Sequence, residues 1–249
     1  MVTLTNAWSV DDAHAMETLR DAEMEELRLI YDSSNHVFLA TLVHPQHGQG
    51  LGVYKPAQGE RPLHDFSYGT LHLREVAAYH FATLLGWTLI PPTVARDGPR
   101  GPGSLQLFIE HDPSEHYFTF RGEEAMREQL IRFAAFDLLV NNADRKGGHL
   151  LRDADGRLWG IDNALCFHQL QKVRTVIWDF SGERLSEAWV ADIERARDCL
   201  ESGDESTETL RSSLSARELE ALVARCAALS RHPVLPEMFA YRCVPWPLI

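Results

Sequence analysis

NNADRKGGHLLRDADGRLWGIDNALCF, residues 141–167, is the densest polar constellation in the chain. Asp144 and His149 stand five residues apart in a glycine-containing loop, just ahead of the apolar run Leu150-Leu151. Asp153-Ala154-Asp155-Gly156 is turn chemistry, and Leu158-Trp159-Gly160-Ile161 reads as the returning strand. Pairing these strands brings the loop before the first close to the end of the second. Asp144, His149 and Asp162 then converge on one point. Gathered carboxylates bind a cation, take hydrogen-bond donors or stay protonated. A divalent metal is the natural resolution. The plainer reading makes Asp144 a turn cap and Asp162 a surface turn residue.

Working toward the N-terminus, Glu123 to Val140 carries Met126, Leu130, Phe133, Ala134 and Leu138 at helical spacing. Residues 111–122 lack periodicity and mark a boundary between two lobes, 1–110 and 111–249. Ser104 to Glu110 is a strand, Pro91-Pro92 opens an extended segment, and Leu71 to Leu85 is a helix stopped by Gly86. His36–Val43 and Leu51–Lys55 read as a hairpin, with the run Gly48 to Gly52 as its turn. Asp11 or Asp12 caps a helix expected to reach about Glu26, and Leu27–Tyr31 is either the end of that helix or a short strand. Beyond the constellation the chain is helical, and Ser215 with Glu218 forms a capping box. The expected fold class is α+β, a strand-rich N-lobe meeting a helical C-lobe.

A second pair lies in the first lobe. Lys55 ends an apolar strand, and Glu75 follows twenty residues later on the helix among Val76, Ala77 and Ala78. A lysine beside buried strand residues requires a carboxylate or an anion; alone, an ordinary surface pair explains it equally well. Strand lysine, helix glutamate, loop aspartate with a possible ligand five residues on, and post-strand aspartate together form the parts list of phosphoryl transfer.

In Lys55-Pro56, Glu75-Val76-Ala77, Asn142-Ala143-Asp144-Arg145 and Ile161-Asp162-Asn163, the chain resembles the protein-kinase-like superfamily. The nearest branch is the phosphatidylinositol 3-/4-kinases, type II phosphatidylinositol 4-kinases in particular; HipA-type kinases are more distant. The likeness covers residues about 30–170 and implies a bilobal kinase-like fold using ATP with Mg²⁺ or Mn²⁺. It implies that Lys55 contacts the ATP phosphates, held by Glu75, and that Asp144 is the catalytic residue at the acceptor hydroxyl. Asp162 would bind metal, with His149 where the family has asparagine. Ser33, Ser34 and Asn35 match its phosphate loop. Gln106, Phe108, Ile109 and Glu110 lie in the strand and linker whose backbone would read adenine. Arg145 and Lys146 could offset phosphate charge near the acceptor.

Two departures bear on function. Imidazole is a softer ligand than an amide oxygen, so His149 favours Mn²⁺ or a single-metal site. No cysteine-rich insertion separates the lysine and glutamate motifs, and the net charge of −12, from 24 basic and 36 acidic residues, repels anionic lipid and nucleic acid. The acceptor is therefore expected to be a protein hydroxyl or a small molecule. A pseudokinase acting as a nucleotide-binding module and a phosphoinositide lipid kinase are the alternatives. No apolar run is long enough to span a membrane, and the start is not a signal peptide. With four dispersed cysteines, the expectation is a cytoplasmic protein with reduced thiols. His44 and His47 are expected to be solvent-facing turn residues. Of Trp178, Trp189 and Trp246, core anchoring is the favoured reading.

Overall fold

Alternating apolar residues in His36–Val43 and Leu51–Lys55 do pair, as strands β2 (Val37–His44) and β3 (Gly48–Pro56). The computed structural model describes residues 6–30, 36–238 and 242–249. Ser33, Ser34 and Asn35 lie outside them. The turn between β2 and β3 is Pro45–His47; the glycines at 48, 50 and 52 run inside β3, not in the turn. Packing explains Gly50: a β-carbon there would sit 2.2 Å from the Trp8 indole.

The N-terminal helix is shorter than expected. α1 spans Ala15–Asp21, and β1 (Glu23–Ile30) follows it, antiparallel to β2 with Leu27 opposite Ala40 and Leu29 opposite Phe38. Acids and spaced leucines make this stretch look helical; cross-strand pairing with β2 overrides that local preference. β4 (Thr93–Gly98) and β5 (Gly101–Leu107) close a tight hairpin, giving a five-stranded antiparallel sheet in the order β1-β2-β3-β5-β4. Trp8, Leu19, Leu42, Tyr54 and Leu105 form its core beneath α1.

α2 (Leu71–Leu85) matches the expected span, with Gly86 in the left-handed region at φ 75°. Its N-terminal N–H groups, which have no intrahelical acceptor, are capped from a distance. Glu60 accepts from Gly69 N (2.9 Å), Leu71 N (3.1 Å) and His72 N (3.3 Å). A carboxylate suits the positive end of the helix. Ala77, Phe81 and Leu85 belong to the larger core of the helical half. That half holds α3 (Tyr117–Phe120), α4 (Arg127–Val140), the hairpin β6 (Leu150–Arg152) and β7 (Leu158–Gly160), α5 (Glu187–Ser202), α6 (Glu208–Ser213) and α7 (Ala216–Arg231). Ser215 and Glu218 cap α7 reciprocally, as expected. Arg74 of α2 reaches the same Glu218 and also donates to Cys166 O at 2.7 Å, tying the sheet-side helix to the helical half.

Three placements correct the sequence reading. His44 is buried, stacked on His47 (4.7 Å between centroids), which stacks on His14 (4.3 Å). The nearly parallel rings stack in a row that packs the start of α1 against the β2–β3 turn. Trp246 is 87% exposed and anchors no core, whereas Trp189 packs on the large one. Arg145 is fully buried and cannot reach an incoming phosphate.

Candidate active site

Lys55 lies near the end of β3 facing α2. Its Nζ is 2.6 Å from Glu75 Oε1 and also bonds Asp162 Oδ1. Glu75, 2% exposed, uses its second oxygen to accept from Asn163 N at 2.9 Å. One carboxylate thus joins sheet, helix α2 and the segment after β7. Burial opposes the Lys55 charge, but Asp162 and Glu75 outweigh it and hold the ammonium above its ordinary range.

Asp162 takes a left-handed backbone, φ 55°, which costs a non-glycine residue ~1–3 kcal/mol and persists only where surroundings enforce it. The enforcing contacts are those of Asn163. Its N–H is bound to Glu75, and its side chain accepts from Arg145 Nη2 at 2.8 Å. The turn aims Asp162 back at Lys55 and His149, whose Nε2 lies 3.3 Å from Asp162 Oδ2. Desolvation resists ionisation of Asp162, but Lys55 and then His149 hold its carboxyl well below the usual range.

His149 Nδ1 accepts from Lys146 N at 3.4 Å, so the neutral ring carries its proton on Nε2 and donates it to Asp162. Burial is the main cause that lowers this imidazole to about 4. Asp144 is held by an Asx turn, its N–H donating to Asn142 Oδ1 at 2.9 Å. Its carboxylate faces Lys146 Nζ at 3.5 Å. Desolvation raises its pKa despite Lys146.

Beneath the loop lies a buried polar network that spacing did not disclose. Arg145 donates to Asp137 (3.1 Å), Ile161 O (2.9 Å) and Asn163. Asp137 also accepts from Asn142 Nδ2 (3.1 Å) and Thr175 Oγ1 (3.0 Å). Asn141, the left-handed cap of α4, donates to His168 O and Leu170 O and accepts from Lys172 N, each at 2.7 Å. The site is therefore built on a scaffold reaching from α4 to the segment 163–175.

In the strand and linker, Gln106 is committed to Thr93 Oγ1 (2.9 Å). Phe108 N donates to Leu51 O, and Phe108 O accepts from Asn6. Among the described residues, the Ile109 N–H and the Glu110 main chain are left without a partner. The Ile109 side chain packs with Leu151 and Trp159 of the β6–β7 hairpin.

No known family profile matches the chain. Protein Rv2133c of Mycobacterium tuberculosis is 37% identical over 274 aligned residues, with 95% of each chain covered. This chain belongs to the family of that protein. Among solved structures, hydra Fam20, determined with sugar, superposes with a TM-score of 0.52 at 16% identity, over 92% of this chain and 91% of its own. The Helicobacter pylori proinflammatory kinase CtkA aligns at a TM-score of 0.46 and 11% identity, over 87% and 94%. With the sheet, the α2 ion pair and the post-β7 aspartate in these positions, the fold is the bilobal, protein-kinase-like one. Among the described residues, no helix is long and apolar enough to cross a membrane.

Proposed function

We propose that the protein is an ATP-dependent phosphotransferase of phosphatidylinositol 3-/4-kinase-like type, transferring the γ-phosphoryl group to a hydroxyl of a protein or small molecule. One observation carries this reading. Lys55 bridges Glu75 on α2 and Asp162 after β7, and an isolated surface pair has no reason to assemble that three-element node.

Adenine would be read by the Ile109 N–H and the Glu110 main chain, which have no partner among the described residues, above the apolar floor of Leu151 and Trp159. Lys55 would exchange part of its contact with Asp162 for phosphate oxygens, while Glu75 keeps it oriented. Asp144 orients the acceptor hydroxyl and takes its proton. The hydroxyl oxygen forms a bond to the γ-phosphorus as the bond to the β–γ bridging oxygen breaks, and ADP leaves with that electron pair. The raised pKa of Asp144 makes it a stronger base than a free carboxylate.

Asp162 offers a partly exposed carboxylate, and a divalent cation fits there, with neutral His149 as its neighbour. Asp162 would hold the ion, which would supply neutralisation of phosphate charge; His149 would join it through Nε2 only with its proton moved to Nδ1 and the Lys146 N–H contact given up. The nitrogen donor favours Mn²⁺ over Mg²⁺. His149 also supports a second reading, a nucleotide-binding module of low turnover. ATP with Mn²⁺ is expected to raise the melting temperature. Transfer from γ-labelled ATP is expected in the wild type and lost in Asp144→Asn. Equal signals from both proteins would remove the enzyme reading and leave the binding module.

A further inference from the structure

The segment Arg242–Ile249 folds back along the catalytic loop. Its Cys243 carbonyl accepts from Thr175 N (3.0 Å) and Trp178 Nε1 (3.1 Å), fixing one end on the segment that bridges the loop in parallel, Thr175 beside Arg145. Its far end reaches the glycine pair Gly147-Gly148. Gly147 N donates to Leu248 O at 2.7 Å. A β-carbon on Gly147 would meet the Phe118 ring at 3.0 Å and Leu248 O at 3.3 Å; one on Gly148 would touch Ile249 Cγ2 at 3.8 Å. Gly147 is therefore a tight fit where the segment and α3 close on the loop, whereas Gly148 has room for a β-carbon.

The place of that contact matters. The glycine pair stands between Lys146, whose Nζ faces Asp144 at 3.5 Å, and His149, which contacts Asp162 at 3.3 Å. The segment thus overlies the loop between its two acidic centres. It is also weakly anchored. Cys243 is buried, but Val244, Trp246, Leu248 and Ile249 are 37, 87, 37 and 60% exposed. Pro245 is buried like Cys243, but among the described residues 246–249 are held by one main-chain hydrogen bond, with Trp246 and Ile249 mostly in water, so this end opens at lower cost than the core.

We propose that residues 244–249 form a displaceable strap over the acceptor side of Asp144, which a polypeptide acceptor must lift before it can be phosphorylated. This rests on the phosphotransferase reading above. The exposed apolar side chains give the strap a second place to go, since an apolar surface on the acceptor or on a partner stabilises the lifted form by covering them.

The test compares wild type with a variant lacking residues 244–249 and with the full-length double variant Leu248→Asp/Ile249→Asp. Three quantities are read: the ATP-induced shift in melting temperature, label transfer from γ-labelled ATP to dephosphorylated casein and to water, and hydrogen exchange at the Gly147 amide. The Gly160 amide, bonded to Leu89 O at 2.7 Å, is the internal control for an intact fold. Faster exchange at Gly147 with Gly160 unchanged is expected in both variants. Transfer is expected to rise about tenfold, equivalent to about 1.4 kcal/mol. A synthetic peptide of residues 242–249 is expected to reverse the gain. Transfer unchanged or lowered, with Gly147 exposed, overturns the strap. ATP binding without transfer in any form also overturns it, because release must unmask transfer. Absence of any ATP-induced shift instead refutes the phosphotransferase reading.

Discussion

Arg145→Met removes the cation from beneath the catalytic loop. Arg145 and Asp137 are both fully buried and lie 3.1 Å apart. The substitution leaves the Asp137 carboxylate with only Asn142 and Thr175 as donors, and strips Ile161 O and Asn163 Oδ1 of theirs. Breaking a buried pair from one side costs ~3–5 kcal/mol, because an uncompensated charge stays in the interior. For a chain of this length each kcal/mol shifts Tm by roughly 2–4 °C, so a fall of roughly 6–20 °C is expected. Urea unfolding followed by tryptophan fluorescence measures the loss. Asp137→Leu/Arg145→Met, which removes both charges, is expected to be less damaging than the two single losses summed, by about 1–3 kcal/mol. Arg121→Ala is the contrast. Its partner Asp179 is exposed, and a surface pair of this kind is worth ~0–1 kcal/mol. A loss below about 1 kcal/mol for Arg145→Met, or strict additivity in the double variant, would refute the assignment of Arg145 as a buried structural cation.

Other perturbations probe the node and its supports. Asp144→Asn keeps the turn to Asn142 but removes the base, and label transfer is expected to fall ~10²–10⁴-fold with little change in ATP-induced stabilisation. His149→Asn replaces the nitrogen donor with an amide oxygen; the ratio of Mn²⁺- to Mg²⁺-supported turnover is expected to fall, and an unchanged ratio removes His149 from the metal site. Glu218 is held below the usual carboxylate range: partial burial opposes ionisation, and the Ser215 N–H and Arg74 outweigh it. Its unfolded form therefore binds protons first, so its contribution is present above the unfolded value near 4.5 and is lost as pH falls below it. Denaturation midpoints from pH 6 to 3 are expected to fall less steeply in Glu218→Gln than in wild type. Burial raises the Cys166 and Cys226 thiols, the latter to about 12, so native protein is expected to react with a thiol reagent fastest at half-buried Cys199.

Much of the fold is legible in one dimension because its signals are local. The span of α2, its Gly86 stop and the capping box at Ser215 depend on neighbours within a few residues. The β6–β7 hairpin is legible for the same reason, and with it the convergence of His149 on Asp162. β1 was legible only in part: Leu27–Tyr31 reads equally as helix end or short strand, and the acidic stretch before it becomes a strand only by pairing with β2. Nor was the burial of His44, which α1 and the β2–β3 turn create together.

The sequence by itself singled out the charged residues on which the proposed chemistry rests: Lys55, Glu75, Asp144 and Asp162, each at the end or on the flank of a readable element. Tertiary structure alone decided how those charges are divided. Arg145, adjacent to Asp144 in the chain, turns inward to Asp137, while Lys146 turns outward to Asp144. Arg74, adjacent to Glu75, leaves the node altogether for Glu218. Neighbouring residues on a loop or helix point in different directions. A buried charge settles wherever a partner from a distant element can compensate its lost hydration, and no local pattern encodes that partner.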